Sequence, residues 1–181
     1  MIIKPLKLEG TFEITLQPRM DERGYFTRAY DREVFAGAGL VTDWVQENQS
    51  LTARRNTIRG LHFQLPPFTE TKLVRAVSGS VLDVFVDLRK KSPSYGKWDS
   101  VELGAEKLNY VYIPKGFAHG FRTLSENSVI QYKVDAVYSR MHDCGIRWND
   151  SEIRIDWGEG NFITSEKDSI AQLFSEFESP F

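Results

Sequence analysis

Short segments in which apolar and polar residues alternate recur along the chain, and they constrain its fold more than any other feature. In residues 81–89 (VLDVFVDLR), aliphatic side chains fall at every second position and define one face of an extended strand. Asp83, Phe85 and Asp87 define the other face. Strand-like segments of alternating or β-branched and aromatic character also occupy residues 12–18, 109–114 and 129–134.

Clusters of turn-forming residues separate these segments at near-regular intervals. They occupy residues 78–80, 92–96, 114–116 and 125–127. Many short strands spaced in this way predict an all-β sandwich or barrel. Helix is sparse: the pattern predicts one or two helical turns within residues 31–39 and a C-terminal helix over residues 165–177, capped by Ser165.

Composition excludes several classes of protein. The chain has 181 residues, of which 41% are hydrophobic, and this suits one domain over residues 1–181. A net charge of −2 argues against a general nucleic-acid binder. The apolar runs are too short to span a membrane, and residues 1–10 lack the pattern of a secretory signal. The sole cysteine, Cys144, fits a reducing compartment, so we expect a cytoplasmic location.

His62 is one of three histidines and stands in an otherwise apolar, strand-like segment, RGLHFQLPPF. A metal site of the cupin type would require a second histidine two residues later, where Gln64 stands. The remaining candidate ligands would be His62, His119 and Glu70, and glutamine is a poor ligand for zinc or iron. We therefore expect no metal, with a metal-dependent cupin oxygenase as an alternative. An imidazole without a metal can act as a base near neutral pH.

Nine short motifs occur in one order along the chain. They are DERGYF (21–26), VQENQS (45–50), RGLHFQLPP (59–67), KLVRAVSGSVLDVFVDLR (72–89), SPSYGKW (92–98), YIPKGFAHGF (112–121), QYK (131–133), GIRWND (145–150) and SEKD (165–168). Because of these motifs, the chain resembles the dTDP-4-dehydrorhamnose 3,5-epimerase family of the cupin superfamily over most of its length.

The resemblance implies a cupin-type jelly-roll β-barrel that forms a homodimer and uses neither a metal nor an organic cofactor. The implied substrate is a 4-keto-6-deoxyhexose linked to dTDP or to another nucleoside diphosphate. The implied reaction inverts C3, C5 or both, next to the C4 ketone. Such a reaction requires a base, a cation or donor at the ketone oxygen, and an acid on the opposite face of the sugar.

The resemblance assigns the chemistry to four residues. His62 corresponds to the base, and Asp168 corresponds to the aspartate that pairs with this histidine and holds its tautomer. Lys72 corresponds to the cation beside the enolate oxygen, and Tyr132 corresponds to the acid on the opposite face. The sequence itself places Tyr132 two residues from apolar residues on either side, so on a strand it would face inward with them.

The resemblance also assigns contacts with the nucleotide and the sugar. The segment that carries Arg23 and Phe26 would complete the pocket of the partner subunit. For Tyr138, which would stack on the nucleobase, and for Lys167, a solvated loop position is the alternative. The full set of implied substrate contacts is Arg23, Phe26, Gln46, Asn48, Arg59, Lys72, His119, Tyr138, Asp143 and Lys167.

Several positions depart from the family pattern. Arg28 stands where glutamate is usual, and residues 134–143 (VDAVYSRMHD) keep Tyr138 but little else of the usual motif. Glu47 and Gln49 replace an aspartate and a histidine. None of these changes affects the base, the acid or the lysine. They leave open a single-site epimerase or ketoisomerase acting on a different nucleotide sugar, and a non-catalytic cupin that binds sugar nucleotides.

Overall fold

The computed structural model describes all 181 residues, and its regular structure is almost entirely β. The helices are α1 (Arg32–Gly37) and α2 (Glu166–Ser169), with a 3₁₀ turn at Phe174–Glu176. Neither helix is long and apolar enough to cross a membrane. The strands are β1 (Ile2–Pro5), β2 (Phe12–Thr15), β3 (Arg19–Asp21), β4 (Gly24–Phe26), β5 (Gln46–Thr52), β6 (Ile58–Gln64), β7 (Lys72–Ser78), β8 (Ser80–Asp87), β9 (Trp98–Gly104), β10 (Asn109–Ile113), β11 (Phe117–Thr123), β12 (Ser128–Val134) and β13 (Asp143–Gly145).

The strands form two antiparallel sheets and a separate hairpin. The six-stranded sheet has the order β1-β2-β10-β7-β12-β5, and the five-stranded sheet has the order β13-β6-β11-β8-β9. The hairpin consists of β3 and β4. Most neighbours in each sheet, such as β2 and β10 or β6 and β11, come from distant parts of the chain, as in a jelly roll. The predicted all-β, cupin-type class is confirmed.

The main apolar core lies between the two sheets. Phe85 and Phe121 of the five-stranded sheet and Val74, Val111 and Ile130 of the six-stranded sheet belong to one buried cluster. The predicted alternation of residues 81–89 is also present, because the aliphatic positions belong to a second cluster on the other face of β8. Fully burying one such side chain contributes about 1.5–3 kcal/mol, so this core supplies much of the stability.

The outer face of each sheet is covered by a different part of the chain. Phe35 of α1 packs with Leu73 and Tyr110 of the six-stranded sheet. The helix begins at Asp31, whose carboxylate accepts hydrogen bonds from two backbone amides of the first turn, and this confirms the predicted turns. The residues after β13 cover the five-stranded sheet, where Phe177 packs edge-on against Phe63.

The C-terminal helix is much shorter than predicted. A helix was expected over residues 165–177, but α2 ends at Ser169. Ile170 is 72% exposed, so it does not join an apolar helical stripe. The following chain instead runs beside β13, and just after that strand the Gln172 carbonyl accepts from the Arg147 amide at 2.9 Å. This path buries Phe177 against the sheet, and tertiary packing outweighs local helical periodicity.

Two glycines let β6 and β11 approach closely at the end of the sandwich where the polar interior residues lie. Gly60 has φ of +121°, and a Cβ atom there would lie 2.6 Å from the Gly120 Cα and 2.8 Å from the His119 carbonyl oxygen. Such distances require the backbone to move. Beside this contact, His62 and His119 are direct cross-strand partners.

Replacing Gly60 by alanine should therefore disturb both stability and the neighbouring histidines. We expect Gly60→Ala to lower the free energy of unfolding by about 1–3 kcal/mol, because the backbone becomes strained and the strands must separate. Turnover should also fall in this variant. Urea denaturation and a steady-state assay would measure the two effects.

Gly37→Ala is the matched control, because a Cβ atom there would meet nothing within 4 Å and its φ is not positive. This change should be neutral or should stabilise the protein by up to about 1 kcal/mol. Equal behaviour of the two variants would contradict the requirement for glycine at position 60.

Candidate active site

A pocket of about 520 Å³ opens between the sheets where the apolar core ends. Inward-facing side chains of β5, β6, β7, β11 and β12 line it, together with the loop after β12, β13 and α2. The structure brings all of the predicted site residues to this pocket except Arg23 and Phe26. The residues brought together are Gln46, Asn48, Arg59, His62, Lys72, His119, Tyr132, Tyr138, Asp143, Lys167 and Asp168.

His62 and Asp168 form a hydrogen-bonded pair although they are far apart in the sequence. The distance from His62 Nε2 to Asp168 Oδ1 is 2.7 Å, and Asp168 Oδ2 accepts from the Gly60 amide at 3.3 Å. Ser165 caps α2 and accepts from the Asp168 amide, which fixes the carboxylate. The His62 side chain is 37% exposed and that of Asp168 only 5%, so the imidazole faces the pocket with the carboxylate behind it.

The surroundings of Asp168 favour its ionised form. Burial raises the pKa of this carboxyl group, but the hydrogen bond and charge of His62, together with the bonds from Gly60 and Ser165, outweigh burial and hold the pKa below its ordinary value. An ionised Asp168 accepts the Nε2 proton of His62. The lone pair of the ring then resides on Nδ1, which makes that nitrogen the basic atom.

Lys72 and Glu70 form an ion pair on the opposite wall of the pocket. Lys72 begins β7 in the six-stranded sheet and is 7% exposed, and its ammonium group donates to the Glu70 carboxylate. The Lys72 Nζ lies 5.7 Å from the centre of the Tyr132 ring. A buried charge requires such a partner, and the pairing keeps one cation next to Tyr132 in the interior.

Tyr132 keeps a protonated hydroxyl in the pocket. Burial, followed by the negative charges of Glu70 and Asp143, raises the pKa of its phenol, so the hydroxyl stays protonated at neutral pH. Ile130 and Val134 line the pocket with it, which confirms the inward orientation predicted from the alternation. Tyr132 therefore presents an O–H group from the six-stranded sheet toward the space that His62 faces from the five-stranded sheet.

His119 stands beside His62 and has its own carboxylate partner, which the sequence analysis did not include in the site. The His119 Nε2 lies 3.0 Å and 2.9 Å from the two carboxylate oxygens of Asp83. Burial raises the pKa of Asp83, and the nearby His119 only partly offsets this. The sequence does contain a signal for this pair. Asp83 is a carboxylate at an inward position of an otherwise apolar strand, and a buried carboxylate requires a partner.

Tyr138, Asp143 and Lys167 form a hydrogen-bonded group at the rim of the pocket. The Asp143 Oδ2 accepts from the Tyr138 hydroxyl at 3.1 Å and from the Lys167 ammonium at 2.6 Å. The hydrogen bond with Asp143 raises the pKa of both Tyr138 and Lys167. The Tyr138 residue is 60% exposed, so its ring is open to a ligand.

Gln46, Asn48 and Arg59 line the wall between this rim and the interior. Gln46 and Asn48 both face the pocket, which confirms the prediction from their spacing. The Gln46 side-chain oxygen accepts from the Tyr138 amide at 2.7 Å. Arg59 donates to the Thr52 hydroxyl at 2.9 Å, and this bond holds the guanidinium group at the mouth of the pocket.

Arg23 and Phe26 lie outside the pocket, on the β3–β4 hairpin. The Arg23 side chain pairs with Asp21, with Nη2 and Oδ2 at 2.7 Å. Phe26 is 70% exposed, and Met20 and Tyr25 on the same hairpin are exposed as well. Within one chain, this hairpin contributes nothing to the site.

The candidate ligands of the metal alternative have other partners. His62 is paired with Asp168, and Glu70 is paired with Lys72. Gln64 donates to Glu70 at 3.2 Å. No group of three histidine, cysteine, aspartate or glutamate side chains in the structure is arranged to hold a metal ion.

Comparison with known proteins agrees with this geometry. A family model described as dTDP-4-dehydrorhamnose 3,5-epimerase matches residues 5–176. The chain belongs to the dTDP-4-dehydrorhamnose 3,5-epimerase family. It is therefore an isomerase of the epimerase type, as the resemblance in the sequence implied.

Three members of the family illustrate the similarity. The dTDP-4-dehydrorhamnose 3,5-epimerase of Sinorhizobium fredii is 47% identical, over 92% of this chain and 87% of its own length. The crystal structure of the Bacillus anthracis enzyme with TDP and pyrophosphate bound is 40% identical with a TM-score of 0.93, covering 96% of this chain and 99% of its own. A dTDP-4-dehydrorhamnose 3-epimerase of Streptomyces niveus is 37% identical, over 97% of this chain and 85% of its own length. Enzymes named for one inversion and for two are thus both similar to this chain.

The lowered pKa of Asp168 predicts a pH-dependent contribution to stability. Because the pKa is lower in the folded than in the unfolded chain, the ionised carboxylate stabilises the fold above its unfolded pKa, and this contribution is lost as pH falls through the folded pKa. Asp168→Asn should lower the free energy of unfolding by about 1–3 kcal/mol at neutral pH. The loss should shrink in strong acid, and urea denaturation at both pH values would measure it.

Asp43→Asn serves as the control because Asp43 pairs with Arg32 at an exposed site. This change should lower the free energy of unfolding by less than about 1 kcal/mol. A loss for Asp168→Asn that is equal at neutral and acid pH would contradict the linkage.

Proposed function

We propose that the chain converts dTDP-4-dehydro-6-deoxy-D-glucose into dTDP-4-dehydro-L-rhamnose by inverting C3 and C5 through an enolate. The observation that supports this most is the placement of a base and an acid on facing sheets. His62, with Asp168 behind it, extends from the five-stranded sheet, whereas Tyr132 and Lys72 extend from the six-stranded sheet. A sugar ring between them would meet a base on one face and an acid on the other.

Each chemical step has a group to perform it. His62 removes the proton from the carbon next to the C4 ketone, and the negative charge moves to the ketone oxygen. The Lys72 ammonium stabilises that oxyanion. One donor placed at an oxyanion stabilises the transition state by about 3–4 kcal/mol. Tyr132 then donates its proton to the opposite face of the same carbon, and solvent returns a proton to Tyr132 and removes the one from His62.

The rim of the pocket suits the nucleoside diphosphate. Arg59 offers a fork of N–H donors that matches phosphate oxygens, and Lys167 adds a second cation. The exposed ring of Tyr138 offers a face for the nucleobase, while Gln46 and Asn48 offer amide groups. The Bacillus anthracis relative with TDP and pyrophosphate supports a thymidine nucleotide, although Arg28 in this chain departs from the usual glutamate.

We also propose a homodimer in which the β3–β4 hairpin of each subunit completes the other subunit's pocket. The hairpin exposes Met20, Tyr25 and Phe26, an apolar surface that favours burial against a partner. Arg23 lies on the same hairpin and would add a cation near the nucleotide. Within a single chain, these residues are left without a function.

The remaining expectations follow from the chemistry and the core. The reaction moves protons and does not change the oxidation state of the substrate, so it requires no redox cofactor. We propose one epimerase domain over residues 1–181, because one buried cluster joins Leu8 to β7–β12 and a second joins the residues after β13 to the five-stranded sheet. We propose a cytoplasmic location, because Cys144 has no other cysteine with which to form a disulfide.

A second candidate function is inversion at one carbon only. The similarity to the Streptomyces niveus 3-epimerase favours it, and both functions need the same base and acid. A ketoisomerase or a cupin that only binds sugar nucleotides would not require Tyr132 on the sheet opposite His62.

Exchange in heavy water tests the proposal. With dTDP-4-keto-6-deoxyglucose in heavy water, NMR should show deuterium at both C3 and C5 and a product of changed configuration. Exchange at one carbon would establish the single-site epimerase. No exchange at either carbon would contradict both epimerase functions for this substrate.

Two variants separate the roles of base and acid. His62→Ala should lower kcat by about 10²–10⁴-fold, while dTDP still binds nearly as in the wild type by calorimetry. Tyr132→Phe should still exchange deuterium but invert poorly, because the enolate can regain a proton only from the His62 face. Normal inversion by Tyr132→Phe would remove Tyr132 from the role of acid.

Hybrid dimers test the exchanged hairpin. One subunit would carry His62→Ala with an intact hairpin, and the other would carry Arg23→Ala and Phe26→Ala with an intact base. Only the hybrid contains a pocket with both an intact base and an intact hairpin, so it should show turnover that neither parent shows. Sedimentation at twice the subunit mass of 20.8 kDa would confirm the dimer. A hybrid as inactive as its parents would contradict the exchange.

A further inference from the structure

Gln64 is buried inside the pocket wall and makes hydrogen bonds to two separate segments, the loop between β6 and β7 and the loop after β12. It follows His62 by two residues on β6 and faces the pocket with it. Only 4% of the residue is exposed. Its side-chain NH₂ group lies within hydrogen-bonding distance of the Phe68 carbonyl (3.0 Å), the Glu70 carboxylate (3.2 Å) and the Val137 carbonyl (3.2 Å), and its oxygen accepts from the Ser139 amide at 2.6 Å.

These contacts lead to both ends of the site. Glu70 is the ion-pair partner of Lys72, the cation at the sugar end. Val137 and Ser139 flank Tyr138, whose exposed ring lies at the rim. Gln64 therefore holds the loop on both sides of Tyr138 and, through the same NH₂ group, the carboxylate that sets the position of the Lys72 ammonium group.

We propose that Gln64 is a positioning residue that couples the nucleotide end of the pocket to the enolate-stabilising cation. When the loop around Tyr138 is held in place, Gln64 is held as well, and its bond to Glu70 keeps the Glu70–Lys72 pair at the ketone oxygen. This inference rests on the role proposed above for Lys72. Gln64 acts through Glu70 and Lys72 and need not touch the substrate.

The chemistry of the carboxamide explains why this position requires glutamine. An amide supplies two N–H donors and one carbonyl acceptor on the same short group, and Gln64 uses both functions. An ionised glutamate of the same shape accepts only, so it would lose every bond to Phe68, Glu70 and Val137. It would also place a second negative charge next to Glu70, and Lys72 would be drawn toward the new charge.

Gln64→Glu makes this a sharp test because its effect should depend on pH. The protonated acid keeps one donor and one acceptor, whereas the ionised form keeps no donor. The ratio of variant to wild-type kcat should therefore fall as pH rises, to about 10⁻². A misplaced catalytic group costs a rate factor on this scale. Taking the ratio cancels the pH dependence that both enzymes share. The affinity for dTDP, measured by calorimetry, should weaken as well.

Two further variants keep the result interpretable. Gln64→Met removes both hydrogen-bonding functions at similar volume, so its kcat should be reduced by a factor that does not vary with pH. Gln131→Glu is the matched control: Gln131 lies on the outer face of β12, where its oxygen accepts from Arg75, and a carboxylate retains that bond. We expect wild-type kcat and dTDP affinity for Gln131→Glu.

Specific outcomes would overturn the proposal. Wild-type kcat in Gln64→Glu or Gln64→Met would show that Lys72 does not depend on Gln64. Weaker dTDP binding with unchanged kcat would confine Gln64 to the loop and remove the coupling. A pH-independent loss of kcat in Gln64→Glu equal to that in Gln64→Met, with lowered thermal stability in both, would indicate a purely structural role.

Lys72→Met separates this inference from the proposed function. Loss of turnover in Lys72→Met together with normal turnover in the Gln64 variants would overturn only the inference. Normal turnover in Lys72→Met would overturn the proposed role of Lys72, and the inference would fall with it.

Discussion

The site depends on one constraint: ionisable side chains placed between two sheets must each have a partner. Removing a charge from water costs several kcal/mol unless an opposite charge or several hydrogen bonds compensate for it. Here, His62 is paired with Asp168, His119 with Asp83 and Lys72 with Glu70. The partners also orient these groups, because Asp83 is fixed by a strand, Asp168 by a helix and Glu70 by a hydrogen bond from Gln64. The contacts that compensate these charges therefore also set the geometry of the site.

The sandwich architecture suits the proposed inversion of a carbon centre. Side chains at alternate positions of two facing sheets point into the same space from opposite directions. The five-stranded sheet presents His62, and the six-stranded sheet presents Tyr132 and Lys72. A flat enolate between them would be open to one group on each face. Elsewhere between the sheets the same inward positions hold Phe85 and Val74, and the space is filled by the apolar core.

The loops at the mouth form a rim that suits the nucleotide of the proposed substrate. Tyr138 and Lys167 come from segments distant in the sequence, and Asp143 joins them by two hydrogen bonds. Gln46 and Gln64, one from each sheet, anchor the loop that carries Tyr138. The rim is thus fastened to both sheets. In the metal-binding pattern considered from the sequence, a histidine would occupy position 64, and the structure shows a carboxamide there that links the rim to the Lys72–Glu70 pair.

The sequence by itself determined the fold class, the orientation of strand residues and the family. Alternation reports which side chains share a face of a strand, so the inward direction of Tyr132 and the separation of Val84 from Phe85 on β8 could be predicted locally. The resemblance implied the His62–Asp168 pair, and the tertiary structure alone decided the pairs His119–Asp83 and Lys72–Glu70. Asp168 lies on α2, 106 residues from His62, and only the packing of α2 beside β6 brings the two together. The same reason explains why the helix predicted over residues 165–177 was wrong in its length: backbone bonds and burial against β13 and β6 outweighed a local periodicity that contains no information about either strand.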